Sequence, residues 1–351
     1  MQYIAFDSHK HYTLASVESV QAPGVIREQR IPHTRGMIRQ FLAQCDVGSP
    51  VAIETIGNWY WIVEEIEQAG MRPQLTHARK AKLMLGSINK TDRLDVRGLN
   101  RLQRNGTLPV VWIPPAAVRD ARDLPRTRMV LVRQQTQLKN RIQATLAKYG
   151  LAVEGVSDVF GKRGLALVSQ HLPALPDHTR FATERLLAQL HALRQEVRAF
   201  EQRIQQVIPH TPEITLVRSL PGVGQILATV LALEIGEVAR FPSAAQLASY
   251  AGCTPRIHAS GGKTRFGSLR SDVNRYLKWA FIEAANVCAR LSRRYPDRHV
   301  SRLYARLVRT KGHPKASGAV ARHLAEATYW ILTKQTAYHD PQSPTVSSTT
   351  A

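Results

Sequence analysis

The sequence is poor in cysteine. Its three cysteines, Cys45, Cys253 and Cys288, are widely separated, and none shows the paired spacing of a zinc site or a disulfide framework. We therefore expect three structural thiols. Hydrophobic residues make up 44% of the 351 residues, which is enough for two or three domains that each bury a core.

Long apolar runs are absent as well. No stretch reaches the roughly 18 to 20 apolar residues that a membrane-spanning helix needs, and no basic amphipathic helix stands alone. Met1 leads directly into a strand-like segment, without the pattern of a signal peptide. The sequence therefore predicts a cytoplasmic protein without a membrane partner.

Acidic residues are scarce relative to basic ones. The chain has 26 Asp and Glu against 48 Lys and Arg, a formal net charge of +22, which indicates a polyanionic partner and favours nucleic acid. The excess is concentrated in the segment 256–322, which contains 16 Lys and Arg and 3 acidic residues. We expect nucleic acid to lie largely against this C-terminal region.

The first third of the chain has the periodicity of an α/β domain. Apolar, β-prone runs predict a hairpin over 2–20 with a turn at 8–11, a loop near 22–24, and strands at 25–31, 50–54 and 72–76. Helices are predicted at 37–43, 58–69 and 80–103, the last broken near 86–89 and restarted with Thr91 as N-cap. A three-strand meander followed by alternating helices and strands is the element order of an RNase H-like fold.

The middle of the chain has two long helical patterns, 116–148 and 183–208, separated by an irregular stretch with Gly and Pro. In the second pattern, apolar residues follow one another by steps of four and three, as in the seam of a coiled coil. These residues are Leu186, Leu190, Leu193, Val197, Phe200, Ile204 and Val207. An intramolecular helical hairpin and a dimerising coiled-coil arm explain the pattern equally well.

The last part of the chain is predicted to be mainly helical up to residue 335. From 336 onward it is polar and rich in Pro, Ser and Thr, which predicts a disordered tail. The predicted organisation is therefore an α/β RNase H-like domain (1–112), a helical arm (113–210), a mainly α domain (211–335) and a tail (336–351).

Four acidic residues form a candidate metal site. Asp7 lies within an apolar strand-like run and Glu54 ends another, where a buried carboxylate needs a compensating cation. Asp92 and Asp95 lie three residues apart on a helix, so both project from one face. Carboxylates suit Mg²⁺ or Mn²⁺, and two such ions can support phosphodiester chemistry.

Each acid also has a structural interpretation. Asp92 and Asp95 could form salt bridges on a solvated helix face with Lys90, Arg93 and Arg97. Glu54 could be an acid at a helix N-terminus, stabilised by the macrodipole. Asp7 is the hardest of the four to explain structurally, and the order of the four acids favours a functional site.

Two glycine-containing segments point to phosphate binding. The run from Ser219 to Gly224 resembles the turn of a helix-hairpin-helix element, where the backbone at Gly222 and Gly224 would present N–H groups to a phosphate; a plain helix–turn–helix connection is the alternative. Further on, Ser260 precedes two glycines in a basic segment that we expect to be a flexible loop able to hold a scissile phosphate. Most Ser-Gly-Gly segments are simple turns, which is the structural alternative. The predicted nucleic-acid contacts are Lys10, Lys90, Gly222, Gly224, Arg256, His258, Lys263, Arg265, Arg270 and Lys278.

Taken together, these segments resemble a known family across nearly the whole chain. The family is that of the DEDD transposases of the insertion-sequence family numbered one hundred and ten, which includes Piv/MooV-like DNA invertases. The motifs that carry the resemblance are Ile4-Ala5-Phe6-Asp7 with Lys10, Ile53-Glu54-Thr55 with Gly57 and Tyr60, Asn89 to Asp95, Pro221-Gly222-Val223-Gly224, Tyr250-Ala251-Gly252 with Thr254-Pro255, and Ser260-Gly261.

The resemblance implies an enzyme that cuts and rejoins DNA. It implies a RuvC-like domain with a Mg²⁺-binding DEDD site at Asp7, Glu54, Asp92 and Asp95, a coiled-coil arm, and a C-terminal transposase domain in which Ser260 attacks DNA to form a phosphoserine link. It also implies dimers that pair into tetramers and a structured non-coding bridge RNA that pairs with donor and target DNA.

The sequence departs from the family pattern at a few positions. Cys253 stands where an aliphatic residue is usual, Val96 where alanine is usual, and 271–273 where a basic stretch ending in glycine is common. The alternatives to a transposase are a RuvC-like nuclease that uses metal-activated water, a site-specific invertase, and a non-catalytic nucleic-acid-binding protein.

Overall fold

The computed structural model describes residues 1–55, 57–86, 91–269 and 272–341. Contacts within the chain divide it into two compact units, Met1–Pro114 and Pro115–Ala351. The finer four-part division made from the sequence stays a prediction. Across the described segments, none of the helices has the length and apolar character needed to cross a bilayer.

The first unit contains a five-stranded sheet. Its strands are β1 (Gln2–Ser8), β2 (Tyr12–Ser19), β3 (Ala22–Pro32), β4 (Pro50–Glu54) and β5 (Arg72–Thr76). They are arranged in the order β3-β2-β1-β4-β5, in which β1 to β3 are antiparallel and β4 and β5 add in parallel on the other side of β1. This arrangement is compatible with the RNase H-like fold predicted from the sequence. The predicted loop at 22–24 is wrong, because these residues begin β3, where the Gly24 N–H donates to Glu18.

Helices cover the two faces of this sheet. They are α1 (Met37–Leu42), α2 (Trp59–Gln68), α3 (Ala78–Leu85) and α4 (Asp92–Arg104). Large side chains such as Ile4, Phe6 and Ile53 pack on one face with α1 and α2. The small residues Ala5 and Ala52 face α4 and α3. Since side chains alternate along a strand, Asp7 and Glu54 belong to the α4 face.

The second unit is mainly helical. Its elements are α5 (Ala116–Lys148), α6 (Lys162–His171), α7 (Asp177–Val207), α8 (Pro212–Arg218), α9 (Gln225–Ile235), α10 (Ala244–Tyr250), β6 (Pro255–Ser260), β7 (Lys263–Leu269), α11 (Arg275–Leu291) and α12 (His299–Lys334). Two differences from the sequence prediction stand out. The stretch predicted as irregular contains α6, and the predicted flexible loop around Ser260 is instead the antiparallel hairpin β6–β7.

Helices α5 and α7 pair within the chain. Arg128 contacts Glu201, Gln135 donates to the Leu193 carbonyl and Tyr149 contacts Thr179, so the two helices run antiparallel. The α7 residues buried most deeply recur every seven positions: Thr183, Leu190, Val197 and Ile204. The heptad pattern is therefore satisfied at least in part by an intramolecular helical hairpin, and a dimerising role for the arm stays a prediction.

A buried carboxylate joins three helices of the second unit. Glu234 of α9 is 2% exposed, and Arg126 of α5 donates to its two oxygens at 2.7 and 3.0 Å. Asn274, the N-cap of α11, donates to the same carboxylate at 2.9 Å. Because the charge is matched by a guanidinium and by a polar hydrogen bond, the burial cost is offset and the carboxylate ties α5 to α9 and α11.

The end of α12 leads into residues that pack on the same unit. The Tyr338 N–H donates to Ser219 Oγ at 2.7 Å, and its hydroxyl donates to Asp340 at 2.9 Å. Burial raises the pKa of Tyr338 above its ordinary value. Tyr338, within the tail predicted to be disordered, makes these contacts, whereas residues 342–351 lie outside the described part of the chain. The disorder of the tail stays a prediction.

Candidate active site

The sheet places Asp7 and Glu54 beside each other. Strands β1 and β4 are parallel, with Phe6 opposite Ile53, so the next residue on each strand is acidic and belongs to the face covered by α4. The Asp7 side chain is 15% exposed. Both acids lie at the carboxyl ends of neighbouring parallel strands.

Helix α4 brings Asp92 to the same end of the sheet. The Thr91 hydroxyl caps the helix by accepting from the Leu94 N–H at 3.3 Å, which confirms the predicted N-cap. Asn100, almost fully buried, donates to the carbonyl of Tyr3 at 3.2 Å and to that of Ser16 at 3.4 Å. These contacts fix α4 on β1 and β2, and the macrodipole stabilises carboxylates in its first turn.

The two arginines next to these acids on α4 pair with another strand. Arg93 and Arg97 both pair with Glu28 of β3, at 3.4 and 2.5 Å. Lys90, the third cation in the salt-bridge interpretation and a predicted nucleic-acid contact, lies outside the described residues. The structure therefore does not favour the idea that Asp92 and Asp95 serve to pair with Arg93 and Arg97.

Asp7 and Asp92 meet around a histidine. The Nε2 atom of His9 lies 3.3 Å from Asp7 Oδ2 and 3.2 Å from Asp92 Oδ2. The three side chains offer ligand atoms that all lie within 4.8 Å of one another. Glu54 and Asp95 are not part of this three-residue group in the described structure, although Asp95 is half-buried one turn along α4.

Tyr12 completes this cluster. Its hydroxyl donates to Asp92 Oδ2 at 3.0 Å, and this hydrogen bond raises the pKa of Tyr12. Its ring contacts the His9 ring at a centroid distance of 4.6 Å, and the Arg30 guanidinium lies 3.7 Å above it. Neither His9 nor Tyr12 was found by sequence reasoning. Continuing the two-residue period of β1 from Asp7 would have pointed to His9.

The predicted phosphate-binding turn connects α8 and α9. Gly222 has φ of +79°, and a Cβ placed on it would lie 2.3 Å from the Ala284 carbonyl oxygen. Gly224 is exposed at the N-cap of α9, where a Cβ would meet nothing within 4 Å. Gly222 is thus required by packing, whereas the accessible helix N-terminus at Gly224 matches what a phosphate contact needs.

Ser260 is the last residue of β6 before a two-residue turn. Gly261 and Gly262 have φ of +56° and +73°, values that a type I′ hairpin turn requires and that glycine adopts without strain. The segment forms a hairpin and not the predicted flexible loop, because two successive glycines between β-prone segments close a tight turn. Ser260 is therefore held by strand pairing with Lys263.

The register of the hairpin separates its two faces. His258 pairs with Arg265 and Ser260 with Lys263, so these four side chains share one face. With Ala259 they line an open depression of about 360 Å³. The alternate positions pair Ile257 with Phe266 and Ala259 with Thr264, and Ile257 and Phe266 are largely exposed. The serine thus lies on a cationic face.

The other predicted nucleic-acid contacts are spread over both units. Lys10 is exposed in the β1–β2 turn next to His9, and Arg256 is exposed on β6. Lys278 of α11 is half-buried, with its side chain close to Gly252 and Cys253. Arg270 lies outside the described residues.

Comparison with known families matches both units. A family of transposases named for the DEDD motif and IS110 matches residues 5–150, and the family described as Transposase IS116/IS110/IS902 matches residues 214–300. The chain belongs to the IS110 family of DEDD transposases. The matches cover Asp7, Glu54, Asp92 and Asp95 in the first segment and Ser260 in the second.

Individual relatives agree with this membership. The transposase for insertion sequence element IS1111A of Coxiella burnetii is 26% identical over 292 residues, which is 82% of this chain and 79% of the relative. A probable family 20 transposase of Pseudomonas aeruginosa is 24% identical over 305 residues, 87% of this chain and 89% of the relative. The pilin gene-inverting protein of Moraxella bovis is 42% identical over 65 residues, 17% of this chain and 20% of the relative.

Family membership defines the kind of activity. An IS110-family transposase is an enzyme that acts on DNA by cleavage and rejoining, and the DEDD family suggests the use of divalent metal. The cluster at Asp7, His9 and Asp92 is a set of side chains that can hold such a cation.

Proposed function

We propose that this transposase moves an insertion sequence by cutting and rejoining DNA with two groups of residues. Asp7, Glu54, Asp92 and Asp95 would hold Mg²⁺ or Mn²⁺ in an RNase H-like first unit, and Ser260 would be the nucleophile of the second. The observation that carries the proposal is the meeting of Asp7 and Asp92 at one end of the sheet, in a chain whose family is named for a DEDD motif.

The acidic residues fit a divalent cation. Two carboxylate oxygens and a buried imidazole nitrogen lie close together, within 4.8 Å of one another. The positive end of α4 does not replace a cation for the two carboxylates. When bound, divalent cations would polarise the scissile phosphate and stabilise the departing oxygen. Asp7 and Asp92 would provide ligands, and Tyr12 would orient Asp92 through its hydrogen bond.

Ser260 would carry the covalent step. Its Oγ attacks the phosphorus and loses its proton, the bond from phosphorus to one sugar oxygen breaks, and that oxygen leaves as a hydroxyl after taking up a proton. A DNA hydroxyl then attacks the phosphoserine and releases Ser260, so bonds are exchanged without net hydrolysis. Lys263 and Arg265 share the serine's face and would bind the phosphate oxygens.

Excision and rejoining from a plasmid that carries the gene with its native flanking DNA would test this proposal. Ser260→Ala and Asp7→Asn should each abolish rejoined products, whereas Ser268→Ala, which removes an exposed hydroxyl from the same hairpin, should leave them unchanged. Persistent strand exchange in Ser260→Ala would contradict the serine step. Cleaved ends without rejoining in that variant would favour a RuvC-like nuclease that uses water.

We propose that a guide RNA provides the specificity for DNA sequence and that the protein assembles with further copies of itself. We infer that a structured non-coding RNA encoded beside the gene pairs with donor and target DNA, and that the protein acts as a dimer or tetramer. The net charge of +22 supports a large nucleic-acid partner. Sequencing of RNA that co-purifies with the protein tests the first inference, and light scattering tests the second.

A site-specific DNA invertase is the second candidate. The observation that favours it is the similarity of 65 residues to the pilin gene-inverting protein. Flanking DNA that inverts in the presence of the protein, with no excised element, would support this alternative over transposition.

A further inference from the structure

We propose that His9 is a metal ligand of the DEDD site and gives it a preference for Mn²⁺ over Mg²⁺. The inference rests on the proposed metal site at Asp7 and Asp92. It goes further because it adds a nitrogen ligand that lies outside the four acids for which the family is named.

The distances around His9 match those of ligands that share an ion. Its Nε2 lies 3.3 Å from Asp7 Oδ2 and 3.2 Å from Asp92 Oδ2. Ligand atoms about 2.1 Å from one cation, at angles between octahedral and tetrahedral values, lie about 3.0 to 3.4 Å apart.

Hydrogen bonding does not account for this nitrogen. The His9 side chain is 34% exposed, but its Nε2 atom is buried and makes no hydrogen bond with acceptable geometry to any group in the described residues. A buried polar atom without such a partner is costly, and native structures leave few of them. Coordination would remove that cost, because the Nε2 lone pair would then point at a cation shared with the two carboxylates.

The neighbours of His9 hold it in this position. Its backbone N–H donates to the Tyr12 carbonyl at 2.8 Å, and its carbonyl accepts from Asn58 Nδ2 at 3.1 Å. The ring lies against the Tyr12 ring, whose hydroxyl donates to Asp92. Tyr12 thus orients both His9 and Asp92, two of the three proposed ligands, before any ion binds.

The chemistry of the donor set predicts which ion is favoured. Mg²⁺ binds oxygen ligands almost exclusively, whereas Mn²⁺ and the later transition metals also accept imidazole. A site with one imidazole and two carboxylates should therefore bind Mn²⁺ more tightly than a site of carboxylates alone. Mg²⁺ should gain little from His9.

Mn²⁺ binding to the untagged full-length chain tests the inference. Titration would give the affinities for Mn²⁺ and Mg²⁺, and pulsed electron paramagnetic resonance would detect nitrogen bound to Mn²⁺. We expect His9→Ala to weaken Mn²⁺ binding by about tenfold or more, to change Mg²⁺ affinity much less, and to abolish the nitrogen signal. His11→Ala is the matched control, because His11 is exposed in the same turn and outside the cluster.

The outcomes separate this inference from the proposed function. If Asp7→Asn abolishes Mn²⁺ binding but the wild type gives no nitrogen signal, or His9→Ala keeps its Mn²⁺ affinity, the role of His9 is wrong and the carboxylate site stands. If Asp7→Asn binds Mn²⁺ as the wild type does, both the proposed metal site and the role of His9 are wrong. Circular dichroism of each variant checks that the fold is kept.

Discussion

Replacing Gly222 by alanine should destabilise the second unit strongly. The residue has φ of +79°, and an added Cβ would lie 2.3 Å from the Ala284 carbonyl oxygen and 3.1 Å from Cys288 Sγ. A left-handed conformation costs a non-glycine residue about 1–2 kcal/mol. Forcing a methyl into a packed contact adds about 1–3 kcal/mol. The change in the free energy of unfolding should therefore be about 3 kcal/mol.

Gly224→Ala is the matched control for this prediction. Gly224 lies two residues away at the N-cap of α9, its φ is −93°, and an added Cβ meets nothing within 4 Å. Alanine is a poorer N-cap than glycine, so a loss below about 1 kcal/mol is expected. Urea denaturation of the two variants, followed by tryptophan fluorescence and circular dichroism, would measure the difference.

The result that would refute the packing argument is a Gly222→Ala variant as stable as Gly224→Ala.

DNA affinity gives a second readout. If the exposed N-terminus of α9 contacts phosphate, Gly224→Ala should weaken binding while the fold remains intact. Equal affinity of Gly224→Ala and wild type would leave the turn with a structural role and would contradict the predicted phosphate contact.

Three further predictions concern buried polar groups. Asn100→Ala should lower the free energy of unfolding of the first unit by about 2 kcal/mol, because two carbonyl groups lose their hydrogen-bond donor. A melting temperature within error of the wild type would contradict this prediction. Glu234→Ala should cost about 3 kcal/mol or more, because the half-buried Arg126 and the buried Arg122, which lies 3.8 Å from the same carboxylate, would lose their counter-charge. Glu201→Ala, in a more exposed ion pair, should cost under about 1 kcal/mol. Urea midpoints compare the two. Burial raises the pKa of Cys253 from 9.0 to about 12. The stability that the protonated thiol contributes is therefore complete below about pH 9 and is lost as the pH rises toward 12. Cys253→Ala should flatten this decline in urea midpoints measured across that pH range, and an unchanged slope would refute the prediction.

Most of the first unit follows from local patterns in the sequence. Short apolar, β-prone runs specify β1, β2, β4 and β5, and Thr91 followed by an amphipathic run specifies the start of α4. Because successive side chains of a strand point to opposite faces, Asp7 and Glu54 share one face, each following a residue that packs into the opposite core. These features depend on neighbours in the chain, which is why sequence reasoning finds them.

Contacts between distant segments could not be predicted in this way. The contact between His9 and Asp92 depends on how α4 lies across the sheet. Hydrogen bonds from Asn100 of α4 to Ser16, 84 positions earlier in the chain, help to fix that placement. The hairpin at Ser260 was missed because its strands are exposed on both faces and lack the alternation of a half-buried strand. The heptad pattern of α7 likewise does not specify its partner helix. Packing within the chain pairs α7 with α5, and pairing with a second chain stays a prediction.

Mass spectrometry of a trapped protein–DNA adduct tests the central claim most directly. Cleavage after Arg256 and Lys263 by trypsin releases the peptide 257–263, in which Ser260 is the sole hydroxyl side chain. After nuclease digestion, the account predicts an acid-stable nucleotide phosphoester on this peptide in the wild type. It predicts none in Ser260→Ala or Asp7→Asn. Cleaved DNA with an unmodified 257–263 peptide in the wild type would contradict the claim.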